Sequence, residues 1–382
     1  MKKIVLAFDS FKNCLPSPEL CRIAKSAIAE ILPDCEIVCL PLGDGGEGTA
    51  SAVTAACGGT MQKISVHGPL NRTVDAAWGL LPDNSAIFEM ATASGIELIS
   101  AQERNPMLTT TYGTGELLRS IVCEHHIKNI TIGIGGSATV DGGIGMLQAL
   151  GVEFFDADGN RLPSPATGND ISKISRIDVS GIPKEFSDVS IRIASDVNNP
   201  LCGETGAAKV FAPQKGADEQ MVNMLEQNLK NFSELSVASK LADCNSHPGD
   251  GAAGGLGFAL RNYLKAVSTS GAELVLELLG FDNIIKDADL IITGEGCSDF
   301  QTAHGKLPAI VANHARIGNI PVILLSGALG KDAEKLENLF DAVFSLSSAP
   351  CSLEQAIHDT EKNLKRMSKA IVKTIKIHRG SK

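Results

Sequence analysis

The sequence predicts an α/β protein of two domains: a doubly wound parallel sheet built from both ends of the chain, and an inserted α/β domain with a mixed sheet. Three observations carry that prediction. At 382 residues the chain exceeds what one hydrophobic core normally organises. Both ends alternate short apolar runs with amphipathic stretches of helical period, the signature of βαβ units. The middle instead breaks into short strand-like runs separated by Gly, Pro, Asn and Asp. We place the doubly wound domain at 1–64 and 288–382 and the inserted domain at 65–287.

The opening run Lys3–Phe8 suits a strand buried on both faces, and Glu36–Leu42 suits a second. Between them, Leu20, Ile23, Ala24, Ala27, Ile28 and Ile31 share one helical face, with Ser17 as the expected N-cap and Pro18 at the first helical position. In the middle, the stretches from about Ser65 to Trp78 and from Ala86 to Met90 hold short strand-like runs broken by Gly, Pro, Asn and Asp. The runs Ile130–Ile134 and Val189–Ala194 follow as further strands, each leading into a glycine-rich stretch. Toward the C-terminus three apolar runs, beginning at Asp289, Pro321 and Asp341, are separated by the helix-like stretches Leu307–Ile317 and Asp332–Leu339. The tail from Ser352 to Ile377 is a basic amphipathic helix with a solvated outer face.

Composition excludes several classes. The net charge of −10, from 44 acidic and 34 basic residues, repels polyanions, so neither nucleic acid nor an anionic membrane surface is an expected partner. No apolar run approaches the roughly 18 residues of a spanning helix. The apolar start ends at Asp9, too early for a secretion signal. Ten scattered cysteines without a CxxC pair fit reduced thiols in a cytoplasmic protein. The sequence leaves a homodimer open.

Candidate chemistry lies where apolar runs give way to glycines, acids and amides. In open α/β sheets ligands collect beyond the carboxyl ends of the strands. Asp9, Ser10 and Lys12 follow the first strand. Asp44, Gly45, Gly46 and Glu47 follow the second, with carboxylates suited to a substrate hydroxyl or a magnesium ion. The stretch IGIGGSATVDGG, Ile132–Gly143, sets five glycines among twelve residues; Gly135, Gly136, Ser137 and Thr139 form its loop and Asp141 stands before the next helix. Strand, glycine loop and helix together suit a phosphate. Yet no GxxxxGK[ST] occurs, and Ala138 stands where a GxGxxG would end. Asp196, Asn198 and Asn199 offer oxygens fit for a hard cation, and Gln214 and Lys215 follow. The glycine turn HPGDGAAGGLG reads chiefly as a turn. Finally Gly294, Glu295, Gly296, Asp299, Gln301 and Lys306 form a loop in which Lys306 could neutralise a phosphate. Zinc-ligand spacing, a GxSxG elbow and protein-kinase signatures are all absent.

With these residues laid out, the chain resembles the bacterial glycerate kinase family. The matching stretches are DSFK (Asp9–Lys12), DGGEGT (Asp44–Thr49), GIGGSAT with DGG (Gly133–Gly143), DVNNPL (Asp196–Leu201), GAAKVFAPQKGA (Gly206–Ala217), GAAGGLG (Gly251–Gly257) and ITGEG with GK (Ile292–Lys306). They fall in family order from end to end. The resemblance implies ATP-dependent phosphorylation of glycerate with magnesium, on a scaffold whose terminal halves form a flavodoxin-like domain. It implies glycerate and ATP as small-molecule partners. Phosphoryl transfer then asks for positioning and charge neutralisation. Lys215 or Lys306 would face phosphate, Asp196 would orient magnesium, Asp44 or Asp299 would serve as general base, and Lys12 would meet the glycerate carboxylate. Two positions depart from the resembled pattern: Val140 where Asn is usual, and Cys297 where Arg is usual. Those departures keep two rival readings in play, a non-catalytic sensor of nucleotide or sugar acid and a magnesium-dependent phosphohydrolase. The hydroxyl that accepts the phosphate, 2 or 3, is left open.

Overall fold

The computed structural model describes residues 1–11, 13–43, 46, 48–243 and 247–380, the side chains of His304, His378 and Arg379 excepted. The chain divides into two compact units, Met1–Asp44 with Ala55–Cys57 and Ala272–Lys382, and Gly45–Thr54 with Gly58–Gly271.

The first unit carries five parallel strands in the spatial order Ala342–Ser345, Val322–Ser326, Leu290–Gly294, Lys3–Phe8, Glu36–Cys39. Numbered along the chain this is 2-1-3-4-5, the flavodoxin-like order. It puts the topological switch point between Lys3–Phe8 and Leu290–Gly294, where the loops carrying Asp9 and Glu295 leave the sheet. The central strands are mostly apolar and buried almost along their whole length, as befits parallel strands covered on both faces by helices. One face is closed by Ser17–Ala29, whose Leu20, Ile23, Ala24 and Ile28 pack with Leu364, Ile371 and Val372 of the C-terminal helix Thr360–Gly380. The basic amphipathic tail, expected as one helix over Ser352–Ile377, is two, Leu353–His358 and Thr360–Gly380, and the second turns its apolar stripe to the core.

Three expected elements differ in detail. The second strand stops at Cys39, short of Pro41, because proline has no N–H for a ladder. Asp332–Leu339 winds as a 3₁₀ turn over Ala333–Asn338. Ser17 is not an N-cap: Pro16 holds that position. The buried Ser17 hydroxyl instead donates to the Phe8 carbonyl (2.6 Å) and accepts from the Leu42 N–H (2.9 Å). It therefore stitches together the chain just past both strands of the first βαβ unit.

The second unit is built on a six-stranded mixed sheet in the order Val267–Thr269, Ser190–Ala194, Asn129–Gly133, Ser85–Glu89, Thr73–Leu80, Thr60–His67. The first four strands are parallel and the last two are joined antiparallel as a hairpin edge. Tyr112–Cys123 buries Leu117, Leu118 and Ile121 in a core shared with Trp78, Phe88, Ile132 and Phe258. The glycine stretch after Asn129–Gly133 runs into the helix Ile144–Ala149. Gly143 enters that helix at φ 78°, and a Cβ there would stand 2.5 Å from that of Ala259, so the position demands glycine. Among the described residues no helix is long and apolar enough to cross a membrane.

Ser17→Ala removes the donor to Phe8, while the Leu42 N–H keeps its bond to the Phe8 carbonyl at 3.0 Å. We expect the unfolding free energy to fall by about 1 kcal/mol, read from the shift of the urea midpoint; a change within about 0.5 kcal/mol would show that water replaces the hydroxyl.

Candidate active site

In the second unit the glycine loop is organised from beneath. Asp141 is fully buried, and its carboxylate accepts from the Thr111 N–H and hydroxyl (2.7 Å each), the Gly143 N–H (3.1 Å) and the Gly145 N–H (3.3 Å). The Thr111 hydroxyl also accepts from the Met146 N–H at 2.9 Å. Burial pushes the Asp141 carboxyl above its usual pKa, against the pull of those donors. Asp141 thus folds the loop and has no exposed surface with which to meet a ligand.

Lys215 is the second internal support. It is only 2% exposed, yet its ammonium donates to the Ser137 hydroxyl and the Thr139 carbonyl, both at 2.7 Å. Burial brings its pKa down to about 7, partly offset by the Asp141 charge. Lysine has three N–H donors, so one remains beyond these two partners. The sequence set Lys215 or Lys306 against phosphate; the structure hydrogen-bonds Lys215 to the glycine loop.

Gly135, Gly136, Ser137, Gln214 and Lys215 line one cavity of about 320 Å³, together with Ser195 and Val197 from the end of Ser190–Ala194 and an apolar set that includes Ile96 and Phe211. Gly46 approaches this loop, its Cα 3.7 Å from where a Gly135 Cβ would be. Asp196, Asn198 and Asn199 follow the same strand without lining the cavity. Asp196 is exposed and its carboxylate accepts from the Gly271 N–H at 3.2 Å. The Asn199 amide donates to the Thr205 carbonyl at 2.7 Å, and Asn198 is exposed.

In the first unit, Asp9 is buried and accepts from the Ser10 N–H at 2.7 Å, while its own N–H donates to the Gly294 carbonyl at 2.9 Å. That bond joins the two loops at the switch point. Glu295 is nearly buried and accepts from the Ser298 hydroxyl (3.0 Å) and the Thr302 hydroxyl (2.6 Å). The Lys306 ammonium lies 3.4 Å from Glu295 and 3.8 Å from Asp299. Gly296 accepts from the Ala328 N–H, and the exposed Gln301 donates its N–H to Asp299 at 2.9 Å. A Cβ on Gly294 would lie 2.0 Å from the Leu325 carbonyl oxygen, which explains the glycine. Lys12, Asp44, Gly45 and Glu47 lie outside the described residues.

Sequence reasoning missed two groups. Glu89, nearly buried at the end of Ser85–Glu89, accepts from the Ala50 N–H at 2.8 Å at the start of the helix Thr49–Ala56. The available signal was a carboxylate closing the apolar run SAIFE. Asp250, buried within the turn HPGDG, is gripped by Arg261 at 2.8 and 2.9 Å, a salt bridge that supports the structural reading of that turn.

Glycine loops at the carboxyl ends of parallel strands, backed by buried carboxylates and a buried lysine, are the setting in which α/β proteins hold phosphate groups. The model of the glycerate kinase family matches residues 4–376, and the chain belongs to that family. It is 43% identical over 377 residues to the glycerate 2-kinase of Escherichia coli K12, covering 98% of both chains. It is 42% identical to the glycerate kinase of Bacillus cereus, again over 98% of both. A crystal structure from Salmonella typhimurium LT2, assigned provisionally as glycerate kinase 2, superposes with a TM-score of 0.88 at 41% identity over 99% of both chains.

The folded-state pKa of Lys215, about 7, lies below the unfolded value of 10.5, so unfolding takes up a proton between those limits. Stability from this group therefore rises with pH across that window, by at most about 1.4 kcal/mol per pH unit. Lys215→Met should flatten the pH dependence of unfolding relative to the wild type between pH 7 and 10; parallel profiles would reject the buried, depressed lysine.

Proposed function

We propose that this enzyme transfers the γ-phosphoryl group of ATP to D-glycerate, releasing ADP, and that the 2-hydroxyl is the acceptor. The observation that carries this reading is the match to the glycerate kinase family across residues 4–376. The 2-position rests on the name of the Escherichia coli relative, glycerate 2-kinase. The donor reading is supported by the glycine loop Gly135–Ser137 at the end of a parallel strand, with Lys215 beneath it.

Phosphoryl transfer needs little covalent chemistry from the protein and much positioning and charge neutralisation. In the second unit the loop amides and Lys215 hold phosphate oxygens. An anion arriving beside Lys215 restores its full charge, because a nearby opposite charge favours the protonated amine. Magnesium is commonly held by one or two carboxylates plus substrate phosphates. Among the described residues no three His, Cys, Asp or Glu side chains converge, and a single exposed carboxylate fits that sparse donor set. Asp196 would hold the ion, which offsets negative charge on the triphosphate when bound. In the first unit Lys306 supplies countercharge, and Asp299 at 3.8 Å from it is a candidate general base for the hydroxyl proton. Glu295 keeps Lys306 in place. Asp44 is the other candidate base, and Lys12 is the candidate for the glycerate carboxylate.

A coupled assay of ADP release with D-glycerate should show turnover that depends on glycerate; phosphate release without it would mark a hydrolase instead. Asp196→Asn should lower kcat by about a hundredfold or more while the thermal midpoint stays within a few degrees, and near-normal turnover would remove Asp196 from the chemistry. Phosphorus NMR of the product should give the 2-phosphate; a 3-phosphate would overturn the positional assignment.

A further inference from the structure

The cavity of about 320 Å³ in the second unit has a lining poorly matched to a three-carbon hydroxy acid. Glycerate carries a carboxylate and two hydroxyls and has almost no apolar surface. Ile96, Ile134, Val197, Phe211, Ala252 and Ala253 would strip water from those groups without replacing its hydrogen bonds. A purine nucleoside is the opposite case. Its base offers two flat apolar faces and a polar edge, and small-molecule cavities of about 300 Å³ and upward are typically apolar with a few placed polar groups.

The position agrees with the lining. Ile134–Ser137 follow the strand Asn129–Gly133 directly, and Ser195 and Val197 follow Ser190–Ala194. The cavity thus opens beyond the carboxyl ends of two neighbouring parallel strands. The polar groups are concentrated: Ser137 and Lys215 are tied to each other beside the glycine loop, and Gln214 presents an exposed amide next to them in sequence. That leaves an apolar part for the base and a cationic, amide-rich part for phosphate.

We propose that this cavity seats the purine nucleoside of the phosphoryl donor, with the base against Phe211, Ile96 and Val197 and the phosphates toward Gly135, Gly136 and Lys215. The inference rests on the reading of ATP as donor and assigns that donor a place. It makes Phe211 a specificity-determining residue for the base. Glycerate is bound elsewhere by other groups.

The test compares wild type, Phe211→Ala, Phe211→Leu and Val197→Trp as full chains, each checked by thermal melting. Initial rates give KM for ATP and for glycerate; adenosine and inorganic tripolyphosphate serve as inhibitors against ATP. Stacking on an aromatic ring is worth about 1–3 kcal/mol per base, so Phe211→Ala should raise KM for ATP and the inhibition constant of adenosine by about tenfold or more. Phe211→Leu should fall between, and Val197→Trp should block adenosine by filling the space. Glycerate KM and tripolyphosphate inhibition should stay within about twofold. If glycerate KM moves while adenosine inhibition does not, the cavity belongs to the acid and the inference is overturned. If the wild type turns over ATP yet no variant changes adenosine inhibition, the inference fails alone. If the wild type neither turns over ATP nor binds adenosine, the donor reading fails with it. Should Phe211→Ala not fold, Phe211→Leu and Val197→Trp decide the matter by the same readouts.

Discussion

The second unit depends on one buried carboxylate. Asp141 has no exposed surface, and three backbone N–H groups and a hydroxyl converge on it. Satisfying four donors with one side chain fixes the exit of the glycine loop against the start of the helix Tyr112–Cys123 and against its own helix. Glycines leave the loop conformationally free, so without such an anchor its amides would have no defined direction. The carboxylate makes a flexible sequence into a rigid cradle, and that cradle is a precondition for any electrostatic role the loop plays.

A buried carboxylate is costly unless fully hydrogen-bonded, and a buried ammonium equally so. This molecule places both in one core. Lys215 hydrogen-bonds the loop through Ser137 and Thr139 while Asp141 holds it at the other end. The two charges favour each other, but burial still dominates and keeps the lysine near a pKa of 7. The lysine is held in the core by hydrogen bonds to the loop, which a surface lysine would not make.

Much of the architecture was legible in the sequence. Lys3–Phe8 and Leu307–Ile317 are both strongly patterned, and they form over the expected residues. The flavodoxin-like order was implied by resemblance and is present in the first unit. The site was legible as a set of loops and not as a set of roles. Asp141 and Asp196 both follow strands next to glycines or amides, yet one is entombed and the other exposed. Two donors to Asp141, the Gly143 and Gly145 N–H groups, are local; the other two come from Thr111, thirty residues earlier in the chain, and only the fold brings them there. Ser17 likewise reads as an N-cap from its neighbours, and its partners Phe8 and Leu42 are supplied only by the fold.

The two departures from the resembled pattern are physically unlike. Val140 is fully buried in the apolar core that includes Ile144, Leu225 and Leu229. An amide at that depth would need internal partners, so a valine removes a polar requirement there without withdrawing a group from a solvent-facing surface. Cys297 is exposed at the switch-point loop, one residue from Ser298, whose hydroxyl donates to Glu295. Burial and the carboxylates of Asp299 and Glu295 raise its thiol pKa, so the side chain is neutral where a guanidinium would carry charge. Among the described residues Lys306 is then the cation paired with those two carboxylates. Lysine is a compact point charge and lacks the bidentate geometry of arginine. Among the described residues the ion pairs of Glu295 and Asp299 are both made by Lys306, at 3.4 and 3.8 Å, and Glu295, tied down by the Ser298 and Thr302 hydroxyls, is the carboxylate that fixes where that ammonium sits.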